Sequence, residues 1–399
     1  MAAVDPTARS VSESEHREFT GGGARFHSGD TLMARITPCL ENGKIARFRP
    51  TDKTSPGFGS TEFIVIRGRE NVTENDFAYY LTKWSEFHQF AVAQMTGTSG
   101  RQRVPAESLS GFEATIPPLP TQRSIAHVLG MLDDKIELNR RVNRTLEKMA
   151  AALFKNWFID FDPVRAKAEG RDPGLPQAIA DLFPDEFEDS ELGEIPEGWT
   201  VKSLPEAIEV NPSRSLSRGT AAPYVEMSAM PTQLSRPAGW PRREFSSGSR
   251  FRNGDILVAR ITPCLENGKT AFVDFLDRDE IGWGSTEYIV FCSGPPLPPE
   301  FTYFLARSDR FREHAIANMT GTSGRQRVPA TCFDRFQVTV PSESVATAFG
   351  NMVQPALRKT RANDFQSKKL EKLRDALLPK LLSGELEVPA IVQSKEGEA

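Results

Sequence analysis

Two arginines that flank a glutamine follow a run of small residues at two places in the chain. The twelve residues MTGTSGRQRVPA stand at positions 95–106 and recur unchanged at 319–330. Small residues leave backbone N–H groups open to a phosphate, while arginine reads guanine and glutamine reads adenine by paired hydrogen bonds in the DNA major groove. The pattern therefore predicts DNA contacts at Arg101, Gln102, Arg103, Arg325, Gln326 and Arg327. The alternative is an ordinary charged turn whose arginines are solvated or paired with Glu62 or Glu287.

A second motif, ARITPCLENGK, is also repeated without change, at 34–44 and at 259–269. It joins the end of a strand to a polar turn, and Ile36, Pro38 and Leu40 are typical of core and turn positions. A structural role is therefore favoured for most of the motif, because a shared origin of the two copies would repeat a structural motif just as well. The exceptions, whose charges could reach phosphates or bases, are Arg35, Lys44, Arg260 and Lys269.

The motifs of common enzymes are missing. NGKT at 267–270 resembles the end of a phosphate-binding loop, but that motif needs a glycine where Pro263 stands. The chain has neither a GxGxxG nor an N-P-P-[FY] motif, and none of its five histidines has a histidine at the equivalent position of the other copy. Four cysteines without C-x-x-C spacing favour buried thiols over disulfides or zinc ligands. We predict no catalytic residue and no metal ligand.

The composition is that of an ordinary globular protein. Hydrophobic residues make up 39% and charged residues 26% of the 399 residues, and no apolar run approaches the ~18 residues that span a bilayer. The start of the sequence lacks a basic segment and an apolar segment, so a cytoplasmic location without a membrane role is expected. The net charge is −4, but residues 181–197 carry eight acids and no base, which leaves the rest of the chain net positive.

The duplication extends over nearly the whole chain at an offset of 224 to 226 residues. GFGSTEFIV at 57–65, for example, returns as GWGSTEYIV at 282–290. The segments TLMARIT, KIARF and STEFIVI are typical of strands, whereas the apolar residues from Phe77 to Ala91 have helical spacing. These patterns predict an α+β fold with two mixed α/β units.

Each unit is followed by a segment with the spacing of a long, coiled-coil helix. The first seam comprises Ile125, Leu129, Leu132, Ile136, Asn139, Asn143, Leu146, Ala150, Leu153 and Trp157. The second, rougher seam comprises Val345, Phe349, Met352, Ala356, Asn363, Leu370, Leu373, Leu377 and Leu381, and Pro355 weakens its start. Asn139 and Asn363 coincide at the 224 offset, so we predict that the helices pair and that these polar residues fix their register. The alternative is that each helix packs only on its own domain.

These observations divide the chain into six parts. The predicted boundaries are 1–120 for the first domain, 121–160 for the central helix, 161–194 for a linker with the acidic run, 195–341 for the second domain, 342–388 for the C-terminal helix and 389–399 for a tail. The linker composition suggests partial order at best. Because Met1 aligns with Met227, residues 195–226 have no counterpart ahead of the first copy, and the first domain is expected to lack its N-terminal segment.

Three further stretches complete a resemblance to a known family. PLPTQRSIAHVLGMLDDKIELNRRVNRTLEKMAAALFKNWFIDFDPVRAKAEG follows the first copy, ELGEIPEGWTVKSL opens the second, and LEKLRDALLPKLLSGELEV lies near the end. Together with the two repeated units, they resemble the specificity (S) subunit of type I restriction-modification systems over almost the whole chain.

The resemblance implies a non-catalytic subunit with two target recognition domains, each binding half of a bipartite site in double-stranded DNA. It implies that the long helices form an antiparallel coiled coil with pseudo-twofold symmetry. The implied partners are two methylation (M) subunits, which bring S-adenosylmethionine, and restriction (R) subunits, which use ATP and Mg, so no cofactor is expected on this chain. A duplicated, non-catalytic scaffold for protein partners is the alternative, and the missing motifs count against a stand-alone nucleic-acid enzyme.

Overall fold

The computed structural model describes residues 1, 3–11, 15–54, 56–98, 100–322 and 324–389, which form two compact units. Unit 1 contains residues 1–139 and the chain from residue 365 onward, and unit 2 contains residues 140–364. The predicted tail, 389–399, lies outside the described residues except for Pro389. No helix within the described ranges is long and apolar enough to cross a membrane.

Unit 1 begins with short strands followed by two helices and the start of a long one. The strands are β1 (Ser10–Val11), β2 (Ala24–Phe26), β3 (Thr31–Ala34), β4 (Ile45–Phe48), β5 (Gly57–Gly59) and β6 (Phe63–Ile66). The helices are α1 (Asn75–Lys83), α2 (Ser85–Ala93), the short 3-10 helix Ala106–Gly111 and α3 (Leu119–Phe158). Four strands form a sheet in the order β1-β4-β3-β6, and β2 pairs with β5 in a separate ribbon.

The core of unit 1 lies between the larger sheet and the helices. Strand β3 is buried along its whole length because it lies between β4 and β6, which pair with it antiparallel. Helix α1 has Phe77 and Tyr80 three positions apart on one buried face. Ile125 and Leu129 from the long helix pack in the same cluster. The apolar spacing noted in the sequence therefore reflects a shared core.

Unit 2 repeats this arrangement and adds elements ahead of it. Its added elements are α4 (Asp162–Ala168), α5 (Gln177–Ala180), β7 (Phe187–Ser190), β8 (Gly193–Pro196), β9 (Thr200–Ser203), α6 (Leu204–Ala207), β10 (Ile208–Val210), β11 (Ala221–Val225), the short 3-10 helix Met227–Ala229 and β12 (Arg242–Glu244). The repeated elements are β13 (Ser249–Phe251), β14 (Asp255–Ala259), β15 (Thr270–Phe272), β16 (Gly282–Gly284), β17 (Tyr288–Ser293), α7 (Pro299–Arg307), α8 (Asp309–Ala317), the short 3-10 helix Ala330–Arg335 and α9 (Glu343–Ser383). Strand β18 (Gln337–Val340) has no counterpart strand among the described residues of unit 1. The sheets have the strand orders β10-β17-β14-β15 and β12-β11-β16-β13, with the pairs β9–β18 and β7–β8 beside them.

The segment predicted to be a partly ordered linker has regular structure, so that prediction is wrong. Residues 161–194 contain α4, α5 and β7, and β8 begins within them. Val164 and Phe183 from this segment are buried in the core of unit 2. Its few apolar side chains are thus placed where they pack, which an average over an acidic composition does not reveal.

The two long helices contact each other within each unit through polar and aromatic side chains. In unit 1, Asn139 Nδ2 donates to Gln366 Oε1 at 2.9 Å and to Ser367 Oγ at 3.2 Å. In unit 2, Asn363 Nδ2 donates to Asn143 Oδ1 at 2.8 Å. Asn139 and Asn363 therefore both have partners on the opposite helix. Their role in fixing register stays a prediction.

The predicted second seam is partly wrong. Met352 and Leu373 are exposed, and helix α9 runs through Pro355 without a break. The side chains that are buried instead include polar ones, and the buried set is Val345, Ala346, Phe349, Val353, Leu357, Thr360, Asn363, Ser367, Leu378, Leu381 and Leu382. The predicted seam was chosen mainly from apolar residues and therefore left out Thr360 and Ser367. Without these two positions, the buried face of helix α9 was partly misassigned.

Candidate nucleic-acid interface

Three repeated motifs meet in each unit around the arginine-rich loop. Thr96 and Arg103 exchange two backbone hydrogen bonds of 2.9 and 2.8 Å, which close the loop as a hairpin. The loop then lies against the ARITP motif, because the Val104 N–H donates to the Arg35 carbonyl at 2.9 Å and the Thr37 N–H donates to the Gln102 carbonyl at 3.0 Å. Two motifs that stand about 60 residues apart in the sequence are therefore held together by backbone geometry.

The second copy is built in the same way. Thr320 and Arg327 exchange the equivalent backbone bonds of 2.9 and 2.8 Å, and the Thr262 N–H donates to the Gln326 carbonyl at 3.0 Å. The Val328 N–H donates to the Arg260 carbonyl at 2.9 Å. The repeat of sequence is thus a repeat of hydrogen bonds, atom for atom.

Glycine is required within the hairpin by its backbone angles. Gly97 has φ +125° and Gly100 has φ +83°, both in the region that L side chains rarely adopt. A Cβ on Gly97 would also lie 3.2 Å from the Arg101 carbonyl oxygen. The corresponding values for Gly321 and Gly324 are +122° and +81°. These glycines make the tight turn that presents the following arginines.

The third motif, GSTE, supplies a carboxylate to the loop. Arg103 Nε lies 2.9 Å from Glu62 Oε2, and Arg103 Nη2 lies 2.7 Å from Glu62 Oε1, a two-pronged pairing. The hydrogen bond from Arg103 holds the pKa of the Glu62 carboxyl below its usual value. In unit 2, Arg327 Nε and Nη2 lie 2.8 and 2.6 Å from Glu287 Oε1. The pairing raised as the alternative in the sequence is therefore present in both units.

This pairing orients the arginines without hiding them. The Arg103 side chain keeps 44% and the Arg327 side chain 45% of its surface exposed. An exposed ion pair contributes little to stability, so its larger effect is to reduce the number of conformations of the arginine. A fixed guanidinium with an open edge can still donate to an added acceptor.

The other predicted loop residues differ in their accessibility. Arg101 and Arg325 are exposed, and their side chains form no hydrogen bond or ion pair with any described residue. Gln102 and Gln326 are half-buried, since their backbone carbonyls are docked on the ARITP motif. The loop thus carries one solvent-facing arginine, one half-buried amide and one arginine held by a carboxylate.

The basic residues of the ARITPCLENGK motif lie in more structural surroundings. Arg35 and Arg260 are half-buried, and the Nε atom of each is buried without a hydrogen-bond partner in the described part of the chain. Arg260 Nε lies 4.0 Å from Glu287 Oε2, which is close enough for attraction between the charges but too far for a hydrogen bond. The backbone carbonyls of these two arginines accept hydrogen bonds from the loop, so both residues lie beside it. A contact of their side chains with DNA stays a prediction.

The structure places the ammonium groups of Lys44 and Lys269 on the protein backbone. Lys44 Nζ donates to the Met1 carbonyl at 3.4 Å, and Lys269 Nζ donates to the Met227 carbonyl at 2.7 Å. Both lysines are half-buried. A contact with DNA at these positions stays a prediction, and the observed acceptors, Met1 and Met227, are aligned positions of the two copies.

Arginine–aromatic pairs beside the small sheets were missed in the sequence. The Arg25 guanidinium lies 4.3 Å from the Phe19 ring centroid, and Phe19 packs edge-on against Phe58 on β5. In unit 2 the Arg250 guanidinium lies 5.8 Å from the Phe245 ring, which packs on Trp283. The signal was the repeat of EFTGGGARF as EFSSGSRF, which differs by one inserted residue and therefore escapes an ungapped comparison.

A metal centre is not formed by the described residues. Within them, no group of three or more histidine, cysteine, aspartate or glutamate side chains is placed to hold an ion. The four cysteines are free thiols, and Cys332 is the one that is buried. At each loop, the charged groups that converge are the second arginine of the loop and the carboxylate of the GSTE motif.

Comparisons with known proteins point in one direction. Residues 23–148 match the family model of the type I restriction modification DNA specificity domain. The chain is 27% identical over 407 residues to the type I restriction enzyme HindI specificity subunit of Haemophilus influenzae, which covers 90% of this chain and 86% of that protein. It is 26% identical over 373 residues to the MjaIX specificity subunit of Methanocaldococcus jannaschii, which covers 91% and 79%. Among solved structures, the S subunit from M. genitalium covers 96% of this chain and 90% of that one at 15% identity, with a TM-score of 0.48 that is too low to establish a shared fold.

Proposed function

The chain belongs to the family of type I restriction-modification specificity subunits, and on that premise we propose that it binds double-stranded DNA and directs partner subunits to a bipartite sequence. Each unit would read one half of the site. The single observation that carries this proposal is the loop in each unit, where a glycine-shaped hairpin presents an exposed arginine beside an arginine held by a carboxylate.

The loop chemistry fits a nucleic acid better than a small anion. Arg101 and Arg325 are free to move toward a phosphate or a base edge, whereas Arg103 and Arg327 are already oriented by Glu62 and Glu287. An oriented guanidinium loses little conformational entropy when it donates to an acceptor. Because the two loops are identical in sequence and in backbone hydrogen bonding, they would make the same contact in each half-site. Discrimination between different half-sites would then depend on the residues around them that differ.

We further propose that α3 and α9 pair as an antiparallel coiled coil that gives the molecule pseudo-twofold symmetry. The contacts within each unit support this pairing. Asp133 pairs with Arg374 and Asn139 with Gln366 in unit 1, while in unit 2 Asn143 pairs with Asn363. The partner positions on α9 thus fall as the positions on α3 rise. A two-fold arrangement suits a duplex whose two half-sites are inverted.

The remaining partners follow from the family. The proteins similar to this chain are named as specificity subunits of type I restriction enzymes, so we propose that two methylation subunits and, where present, restriction subunits assemble on it. S-adenosylmethionine, ATP and Mg would be bound by those partners. The chain itself is assigned recognition and assembly, with no chemical step of its own.

The proposal is tested by first identifying the DNA site and then replacing two arginines of the loop. Co-expression with the methylation subunits, followed by sequencing of methylated bases, gives the bipartite site, and a duplex carrying it is used in binding assays. The double variant Arg325→Ala/Arg327→Ala should bind that duplex about 5- to 150-fold more weakly if one arginine reads a base, corresponding to ~1–3 kcal/mol. If both contact phosphates, all sequences should be weakened alike and the salt dependence of binding should become less steep.

A matched control removes the same charge elsewhere in unit 2. Arg218 and Arg278 are exposed arginines outside the loop, so the double variant Arg218→Ala/Arg278→Ala should keep its affinity to within a factor of about three at constant salt. Equal affinity of the loop variant and the unchanged chain would rule out the loop as the interface. Absence of DNA binding both with and without methylation subunits would favour a protein scaffold instead.

A further inference from the structure

A row of cationic and aromatic side chains crosses the sheet β12-β11-β16-β13 of unit 2. Tyr224 on β11 and Arg250 on β13 both lie directly opposite Trp283 on β16, so the three side chains share one face of the sheet. Arg243 on β12 lies opposite Ala222, two positions before Tyr224, and therefore joins that face. These four side chains, from Arg243 through the two rings to Arg250, form the arginine–aromatic face of unit 2.

The other face of the same sheet packs on buried side chains. Val225 on β11 and Phe251 on β13 point to it, and both are fully buried. A Cβ added to Gly282 on β16 would lie 2.4 Å from the Phe251 ring, so only glycine fits there. The arginine–aromatic face is consequently directed away from this packing, and Arg243 keeps 49% of its side-chain surface exposed.

Aromatic rings hold the two guanidiniums of this face. The Arg243 guanidinium lies 4.6 Å from the centroid of the Tyr224 ring. The Arg250 guanidinium lies 5.8 Å from the centroid of the ring of Phe245, the residue that follows β12. Trp283 joins the two pairs, since its ring lies 4.3 Å from that of Tyr224 and 5.4 Å from that of Phe245. A guanidinium held over a ring keeps N–H groups in its own plane available for an acceptor.

The charges of the two arginines are compensated differently. Arg243 Nη2 lies 2.5 Å from Glu226 Oε1, and the two side chains are 49% and 42% exposed. Arg250 is half-buried and forms no ion pair with a described residue. Because an exposed ion pair contributes little to stability, a phosphate can take the place of Glu226 beside Arg243. Each end of the face therefore offers a cation to an added anion.

Unit 1 has a similar pairing on its own small sheet. Arg25 on β2 lies opposite Phe58 on β5, just as Arg250 lies opposite Trp283 in unit 2. The Arg25 guanidinium lies 4.3 Å from the ring centroid of Phe19, and the Phe19 and Phe58 rings are 5.1 Å apart. An arginine is therefore held over a phenylalanine in both copies, although the ring between the strands differs.

The arginine–aromatic face lies close to the arginine-rich loop of unit 2. Strand β16 runs directly into the GSTE motif, and Glu287 of that motif pairs with Arg327 of the loop. Glu287 stands four positions after Trp283, so their Cα atoms are at most ~14 Å apart. That distance corresponds to about four base pairs at ~3.4 Å each. The loop and the face can therefore contact one duplex at neighbouring positions.

We propose that the arginine–aromatic face of unit 2 anchors the DNA backbone, with Arg243 and Arg250 each donating to a phosphate. This inference rests on the proposed function and adds to it a contact that positions the duplex without reading its sequence. The outer strands β12 and β13 are separated by three strand spacings of ~4.8 Å, or ~14 Å in all. The major groove is ~12 Å wide, so side chains on these two strands can reach phosphates on its two sides.

Substitutions that remove only the charge separate anchoring from folding. Glutamine keeps part of the arginine stem, so the test variant is Arg243→Gln/Arg250→Gln, and Arg243→Lys/Arg250→Lys keeps the charge. Arg242 is next to Arg243 on β12 but points to the other face, and it pairs with Glu280 at 2.7 Å. The matched control is Arg242→Gln/Arg278→Gln, in which the Arg278 side chain is 96% exposed. If the test variant melts lower than the control, Arg243→Gln alone is measured instead.

The experiment measures binding at several salt concentrations, with the full chain co-expressed with the methylation subunits and the duplex identified by methylation sequencing. Each phosphate contact contributes about 0.9 to the slope of log affinity against log salt, so the glutamine variant should lose about 1.8 of that slope. Over the tenfold range from 1 M to 0.1 M salt this slope is a factor of about 60, so affinity at 0.1 M should fall by up to about 60-fold. The single variant should lose about half of this slope.

The two comparison variants should behave differently from the glutamine variant. The lysine variant should keep most of the slope, because lysine binds phosphate as a point charge. The control should keep its affinity to within a factor of about three at constant salt. The methylated half-site sequences should be the same for all variants, since phosphate contacts carry no direct sequence information.

Three results would overturn the inference. An unchanged slope in the glutamine variant, together with weaker binding of Arg325→Ala/Arg327→Ala, would remove the face from the interface and leave the proposed function in place. A changed preference at one base pair of the site would mean that these arginines read sequence and do not merely anchor the backbone. If the unchanged chain binds no duplex with or without methylation subunits, the proposed function is wrong and the anchor with it.

Discussion

Arg236 is a deeply buried charged group of unit 2, and replacing it by methionine should cost that unit much of its stability. The guanidinium is 1% exposed and donates to Asp274 through Nε at 2.6 Å, to Asp364 through Nη1 at 3.2 Å and to the Leu357 carbonyl at 2.7 Å. Burial alone would lower the pKa of Arg236, but its hydrogen bonds and the charges of Asp274 and Asp364 outweigh burial and raise that pKa. The arginine therefore stays charged in the folded unit.

The magnitude follows from what the variant leaves behind. Removing one partner of a buried ion pair costs ~3–5 kcal/mol, because the remaining charges lose their compensation. Asp274 and Asp364 keep 20% and 21% of their side-chain surface exposed, so water can reach them and the lower end of the range applies. Methionine keeps most of the packing volume. We expect a loss of about 3 kcal/mol, or roughly 6–12 °C in the melting temperature for a unit of this size.

Calorimetry and urea unfolding of the full chain measure the loss. Arg242→Met is the matched control, because Arg242 is also paired with a carboxylate, that of Glu280, but is 59% exposed. It should change stability by less than about 1 kcal/mol. Adding Asp274→Asn and Asp364→Asn to Arg236→Met should recover part of the loss, since it removes the uncompensated charges. If Arg236→Met melts within about 2 °C of the control, the reasoning from burial is wrong.

Other measurements test features elsewhere in the chain. Burial lowers the pKa of Lys83 to about 8, so the folded state disfavours its charge. Stability should therefore rise as pH increases from about 8 toward the usual lysine pKa. In urea titrations at different pH values, Lys83→Met should remove that rise. Asn143→Ala removes the acceptor of the hydrogen bond from the Asn363 amide and should cost about 1–3 kcal/mol of stability. The double variant Asn143→Leu/Asn363→Leu should cost less. If the stability losses of the two single variants simply add in a double-mutant cycle, the two residues are not coupled. A heptad inserted after Arg140 and another after Asp364 should lengthen the helix pair by ~10 Å and the spacer between the two DNA half-sites by about three base pairs. The half-site sequences should not change. If the spacer of the methylated site stays the same, the helices do not set it.

Sequence reasoning predicted the structure best where the two copies share residues and the apolar residues are regularly spaced. The first seam holds well, since Ile125, Leu129, Asn143 and Trp157 are all buried. Its period is unbroken along the helix, with Asn139 and Asn143 at consecutive seam positions and apolar side chains on either side of them. The mixed α/β units were also predictable, because TLMA is a buried strand that pairs with the partly buried strand FIVI.

What the sequence could not reveal depended on contacts between distant residues. The pairing of Arg103 with Glu62 joins positions 41 residues apart, and nothing in the spacing separates it from a solvated arginine. The lysine of the ARITPCLENGK motif stays a predicted DNA contact, but the contact of its ammonium with a backbone carbonyl was not predicted. Backbone acceptors carry no sequence signal, so a role of this kind is invisible until the chain is folded.

The division of the long helices between units has a consequence for how the chain folds as it is made. Unit 2 is contiguous, and a ribosome has delivered all of it once residue 364 has been added. Unit 1 is not, because Leu378, Leu381 and Leu382 complete the core built by Phe77 and Leu129. At roughly 5–20 residues per second, the 225 residues of unit 2 take about 10–45 seconds to synthesise, during which the first unit is without its closing helix. The N-terminal part of unit 1 is therefore translated first, but its core is completed last. Of the two units, it is the one whose unfinished core chaperones would have to protect for longer.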